Sequence, residues 1–234
     1  MVTGNHFFKI KIFSSPGRGV IFFPAFILLT WVLGGPLSLE AFNLDKVFYQ
    51  AIHDADKNEI NSLLTHGARI NGGHYLNQVA LDRNKEMFQY LLEKGADINM
   101  DQIGPLLKEE EDEDVGGKTP LCTVLSNFLS SKKDIRSIED TQEWVEFLLE
   151  KGANPNKMCY GKFTPLMMVT GKGADPAGLS QWERLETAMK VVVILLKYGA
   201  NLNLRAHGYT ALDFATESNN LNMVMFLRDL GASE

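Results

Sequence analysis

Near the middle of the chain, Gly116-Gly117-Lys118-Thr119 ends like a phosphate-binding loop, so nucleotide chemistry is the first reading the residues raise. The rest of the requirement fails. The glycine needed five residues before Gly117 is Asp112, and no run of apolar strand residues leads in. The adjoining carboxylates of Glu109-Glu110-Glu111-Asp112-Glu113-Asp114 would also repel a phosphate. Calcium fares no better, because its loops alternate oxygen ligands about a turn glycine and this run is continuous. Two readings of the run stay open: a solvated loop, or a patch that steers a cationic partner.

The chain has two cysteines, Cys122 and Cys159. They are too few and too far apart for a zinc site of their own. They are either a disulfide, which an oxidising compartment would permit, or two independent small residues. His53, His66, His74 and His207 are scattered, with no convergent acid or nucleophile beside them. No catalytic, cofactor or metal site is expected from these patterns. The informative residues are those that build elements.

One phrase recurs: two apolar residues, two spacers, Gly-Ala, and an Asn four residues after the Gly. It stands at Leu63-Leu64-Thr65-His66-Gly67-Ala68 with Asn71, at Leu91-Leu92-Glu93-Lys94-Gly95-Ala96 with Asn99, and at Leu148-Leu149-Glu150-Lys151-Gly152-Ala153 with Asn156. A fourth copy is Leu195-Leu196-Lys197-Tyr198-Gly199-Ala200 with Asn203, and a truncated fifth runs from Leu227 to Ala232. Paired leucines close an amphipathic helix, and a glycine two or three residues later supplies the left-handed residue that lets the chain leave it. The Asn suits the turning segment beyond. A second phrase stands upstream of three exits: Lys118-Thr119-Pro120-Leu121, Phe163-Thr164-Pro165-Leu166 and Tyr209-Thr210-Ala211-Leu212. Thr is a good N-cap, and Pro is tolerated at the first helical position because its missing N–H would go unused there. Each unit thus starts a helix at Thr and ends one at Gly.

Thr-Pro-Leu followed by a helix pair ending in Leu-Leu-x-x-Gly-Ala resembles the ankyrin repeat, whose period is about 33 residues. The resemblance covers Leu44 to Ala232. It implies an all-α solenoid of stacked helix pairs with projecting hairpin loops, a curved surface that binds other proteins, and no intrinsic catalysis. Expected unit bounds are about 42–71, 72–99, 100–156, 157–203 and 204–234 within a domain spanning 42–234. In this family the residue before Thr and the residue two after Leu usually face the concave surface. Here those are Lys118 and Thr123, Phe163 and Met168, and Tyr209 and Phe214; they are expected to bind a partner, against the alternative that they pack between repeats. Cys122 takes the place the family usually gives to His.

The intervals between exit glycines mark where the chain departs from a regular array. Gly67 to Gly95 is 28 residues, Gly95 to Gly152 is 57, Gly152 to Gly199 is 47 and Gly199 to Gly231 is 32. The second unit is short in its hairpin, which is only Gly72-Gly73-His74-Tyr75. The third is long both in its hairpin, between Asn99 and Thr119, and between its helices. The fourth is long only between its helices, from Leu166 to Val191. Insertions in a solenoid map to loops on one face, so segments Ser126 to Thr141 and Gly171 to Glu186 are expected side by side. Trp182, inside the second of these, is expected to anchor that loop or a partner.

The amino-terminal residues read differently. Val20 to Leu33 is almost wholly apolar and follows Lys9, Lys11 and Arg18, the pattern of a secretory signal peptide over residues 1–41, with processing near Gly34 or Ala41. Gly19 to Leu39 carries no charge and is long enough for a membrane anchor, so that reading and a misassigned start remain alternatives. Basic residues held inside would export the repeats in either of the first two cases.

The whole chain of 234 residues carries a formal charge of −6, and removing residues 1–41 makes the remainder more acidic still. That balance argues against nucleic acid and favours a basic protein partner. The expected function is therefore an exported, non-enzymatic protein-binding module, periplasmic or secreted and of bacterial style. It would act as an inhibitor or immunity-like partner, or as an effector. The rival is a membrane-anchored scaffold presenting the repeats outside the cytoplasm.

Overall fold

Each paired leucine closes a helix through its backbone as well as its side chain. Ala68 N–H donates to the Leu63 carbonyl at 2.9 Å and Gly67 N–H to that of Leu64 at 3.2 Å, with Gly67 at φ +95°. This is the Schellman closure, in which two crossed hydrogen bonds satisfy the last carbonyls of a helix. The same pair of bonds forms at Gly95-Ala96, Gly152-Ala153, Gly199-Ala200 and Gly231-Ala232. The leucine side chains meanwhile point inward: Leu91, Leu148, Leu195 and Leu227 are fully buried.

The computed structural model describes residues 44–71, 74–101, 118–130, 135–171 and 181–233. The leader or anchor expected over residues 1–41, the acidic run and Gly116-Gly117 lie outside the described residues. Within them there are ten helices: α1 (Leu44–His53), α2 (Lys57–Thr65), α3 (Tyr75–Leu81), α4 (Lys85–Glu93), α5 (Pro120–Ser130), α6 (Ile135–Glu150), α7 (Pro165–Thr170), α8 (Gln181–Lys197), α9 (Ala211–Glu217) and α10 (Leu221–Asp229). Odd and even helices pair as antiparallel hairpins. The odd helices stack into one row, α1 on α3 on α5 on α7 on α9, and α6, α8 and α10 stack in the second. Among the described residues no helix is long and apolar enough to cross a membrane.

Helix starts follow from side-chain caps. Thr164 Oγ1 accepts from Met167 N–H, Thr210 Oγ1 from Asp213 N–H, and Thr119 Oγ1 from Cys122 N–H, so the Thr-Pro phrase caps the first helix of each unit as expected. The second helices have caps of their own: Asp56 accepts from Asn58 and Glu59 N–H, Asn84 from Met87 N–H and Asn220 from Met223 N–H. Each follows a residue in the left-handed region, Ala55, Arg83 or Asn219, which turns the chain between paired helices without a glycine.

The repeated Asn is the joint between units. Asn99 Nδ2 donates to the Gly152 carbonyl at 2.8 Å, and its Oδ1 accepts from Asn154 N–H at 2.7 Å. Asn156 makes the same two bonds to Gly199 and Asn201, at 2.9 and 2.7 Å, and Asn71 to Gly95 and Asp97, at 3.3 and 2.9 Å. Asn203 has only the acceptor half, from Ser233 N–H at 2.9 Å. Every amide thus reads the helix exit of the next unit, which fixes the step of the stack.

Two expectations change and one open alternative closes. The residues between the helices of the third and fourth units were expected as loops; Ser126–Ser130, 135–141 and 181–186 instead lengthen α5, α6 and α8 by continuing their helices. Phe128 and Thr141 are buried, so part of the extra length joins the core rather than projecting from it. Tyr75, assigned to the clipped hairpin, is the first residue of α3 and packs edge-on against Phe48 with ring centroids 4.9 Å apart. Of the two states left open for the cysteines, the structure has the disulfide: Cys122 in α5 is bonded to Cys159 in the next hairpin, both fully buried.

Candidate functional site

The hairpins of the fourth and fifth units are built by residues that tolerate positive φ. His207 and Gly208 both lie in the left-handed region, at φ 51° and 88°, and Ala206 and Tyr209 exchange hydrogen bonds across them at 2.9 and 3.0 Å. This two-residue turn suits a tight hairpin because both central residues take the sign of φ that its twist requires. One unit earlier, Cys159 and Phe163 pair across the turn containing Tyr160 and Gly161. His207 Nε2 donates to the Gly161 carbonyl at 3.0 Å, tying neighbouring hairpins together.

These turns deliver aromatic residues to one place. Phe163, at the foot of its hairpin, meets Phe214 of α9 edge-on at 5.2 Å between ring centroids, and Tyr209 meets the same ring at 5.9 Å. Tyr209 remains 45% exposed, while Phe163 and Phe214 are half-buried and lean on the core. Phe163 and Phe214 pack against each other across two units, and Tyr209 on the same cluster stays exposed. Met168 and Thr123, on α7 and α5, are also half-buried. Lys118 is half-buried at the start of α5, with its Nζ 5.7 Å from the centre of the Tyr160 ring. Six of the seven residues expected to bind a partner thus lie on the hairpins and first helices of three successive units.

Trp182 does not join them. It sits at the start of α8, a second helix, is 70% exposed, and lines a groove against α10. Sequence reading also missed three participants. Tyr160 and His207 occupy hairpin positions with no helical register to announce them, and Asn77 is buried in α3, its Nδ2 donating to the Lys118 carbonyl at 2.7 Å. Only Asn77's polarity at an apolar position of α3 could have signalled a buried partner.

Electrostatics around the surface are set by burial and by caps. His74, capping position of α3, has its pKa lowered by desolvation and then by the Lys118 charge. Asp213 is held below the usual carboxylate range because Thr210 donates to it through both backbone N–H, at 2.6 Å, and hydroxyl, at 2.8 Å. Both groups serve the scaffold. Among the described residues no group of three or more His, Cys, Asp or Glu side chains could hold a metal ion.

Residues 135–233 match the family model of ankyrin repeats in three copies. No curated protein matches the chain. The matched span runs from the second helix of the third unit to the end of the fifth, and the first two units carry the same helix pairs, glycine exits and Asn joints. Over residues 135–233 the chain is thus made of ankyrin repeats, the repeat of a protein–protein interaction module.

Proposed function

We propose that the chain is an exported adaptor that binds a protein partner through the surface formed by Lys118, Phe163, Met168, Tyr209 and Phe214. The observation that carries this reading is the aromatic cluster of the fourth and fifth units, where Tyr209 is 45% exposed above rings anchored by the core. Aromatic groups held rigid on one side and open on the other lose little entropy on binding, which is why such residues dominate interface energetics. The family is typically non-enzymatic, and the reading assigns no chemistry to the site.

Export is supported by two independent features. The apolar, charge-free stretch behind a basic leader reads as a targeting segment. A buried disulfide joining two units belongs to an oxidising compartment. The acidic balance of the chain favours a basic partner. A periplasmic inhibitor or immunity-like role and a secreted effector role share these features.

The test is quantitative co-purification of the bound protein with the intact chain and with Phe163→Ala, Tyr209→Ala and Phe214→Ala, each checked for an unfolding transition. Tyr209→Ala, the least buried change, should cut recovery while leaving the melting temperature near the parent's. Unchanged recovery in all three variants would sink the surface. Mass spectrometry of the mature amino terminus tests export separately: loss of roughly the first 41 residues is expected for a cleaved leader, and an intact terminus in the membrane fraction would favour the anchored scaffold.

A further inference from the structure

The second helices are clasped to one another along most of the stack. Lys57 of α2 pairs with Glu86 of α4 at 2.6 Å, Lys85 of α4 with Glu143 of α6, and Lys197 of α8 with Glu146 of α6 at 2.7 Å. Aromatic rings fill in beneath: Phe88 of α4 meets Trp144 of α6 edge-on at 5.9 Å. The last seam, between α8 and α10, has a different character. It opens as a groove of about 440 Å³ whose apolar lining includes Trp182 and Met189 on one side and Met225 and Phe226 on the other.

The groove exists because of the insertion in the fourth unit. α8 has 17 residues and α10 has 9, and the added first turns of α8, which carry Trp182 and Glu186, form one wall of the groove with α10 as the other. Trp182 is 70% exposed and Met225 65%, and Leu221, one turn before Met225 on α10, is 72% exposed. Large apolar groups held together in the open mark an interaction surface more often than scattered ones do. Methionine and tryptophan here offer an adaptable, polarisable lining.

Charge says what kind of partner fits. The charged groups in the lining are Glu186 and Asp229, both carboxylates, one on each wall; Glu186 pairs with Lys190 on its own helix at 2.7 Å, an exposed pair that a partner's cation can share. An amphipathic helix laid between two helices presents apolar residues at i and i+4 to such a floor. Its lysines or arginines would reach the two walls. A second copy of this chain would bring an equally acidic groove to the same place and no excess of cations to meet it.

We propose that the groove between α8 and α10 docks a basic amphipathic helix of a protein partner, independently of the aromatic surface on the hairpins and first helices. The probe is a pair of synthetic helical peptides of about 18 residues with identical leucine stripes, one flanked by lysines and its twin by glutamates. Both are titrated into the full chain while tryptophan emission is recorded, with Trp182→Phe identifying the part of the signal that comes from the groove. The lysine peptide should shift Trp182 emission to the blue saturably and bind about tenfold or more tightly than its glutamate twin. Met225→Asp should abolish the shift. The double variant Glu186→Lys with Asp229→Lys should reverse the preference; both variants change exposed side chains, and circular dichroism checks that they fold. The proposal is overturned by equal binding of the two peptides, by binding that survives Met225→Asp, or by binding of neither. Sedimentation showing a dimer that Met225→Asp dissolves would assign the groove to a second copy instead.

Discussion

Asn156→Ala should loosen the joint between the third and fourth units without touching the apolar core. The parent amide makes two bonds across the joint, to the Gly199 carbonyl at 2.9 Å and from Asn201 N–H at 2.7 Å. Truncation leaves both backbone groups partnerless, but Gly199 and Asn201 are exposed, so water replaces the amide and the cost stays near the net value of a hydrogen bond. At about 0.5–1.5 kcal/mol each, the loss is about 2 kcal/mol. For a domain of this size that lowers the melting temperature by about 4–8 °C. Asn203 makes only the acceptor half of the joint, so Asn203→Ala should cost about half as much, about 1 kcal/mol. Urea unfolding followed by circular dichroism at constant protein concentration measures both. Because a solenoid's stability sums unit and interface terms, the Asn156 variant should also broaden its transition as the last two units uncouple from the rest. An Asn156→Ala variant as stable as the parent, or an Asn203→Ala variant equally costly, would refute the reading of this amide as the inter-unit joint.

Removing the disulfide by Cys122→Ser with Cys159→Ser should cost about 3–4 kcal/mol, from the freedom returned to a 37-residue loop in the unfolded chain; thiol titration of the denatured, unreduced protein should find no free cysteine, and two titrating thiols would contradict the pairing. Gly152 takes φ +94° with open space where a Cβ would go, so Gly152→Ala should cost about 1–2 kcal/mol through backbone strain alone, read by the same urea titration. His74 has a lowered pKa in the folded state, so the unfolded chain takes up its proton first. Stability attributable to it is complete above its unfolded value of about 6.5 and falls as pH drops from there through the folded pKa, and His74→Asn should flatten that part of the pH–stability curve.

Local closure explains what was legible in the residues. Leu-Leu-x-x-Gly-Ala could be read as a helix exit because its crossed hydrogen bonds, its positive φ and its buried leucines all fall within six residues. Thr before Pro was readable for the same reason, since a capping hydroxyl reaches only three residues ahead. Position Asn71, Asn99 or Asn156 could be recognised as a repeat feature but not as a joint, because its partner lies 24, 53 or 43 residues on. The intervals vary while the contact is constant. Only the stacked units bring each amide to the next exit glycine.

The sequence by itself determined the architecture, the order of the units and the sites of their insertions, because helix starts, exits and apolar stripes are local properties that repetition makes unmistakable. Tertiary structure decided the rest. It turned inter-helix insertions into longer helices, since Phe128 and Thr141 find a core there to join. It paired Cys122 with Cys159, gathered Phe163, Tyr209 and Phe214 into one cluster, and set Trp182 apart in a groove against α10. Each of these depends on the distance between units, and distance across a stack is fixed by packing and by the Asn joints rather than by position along the chain.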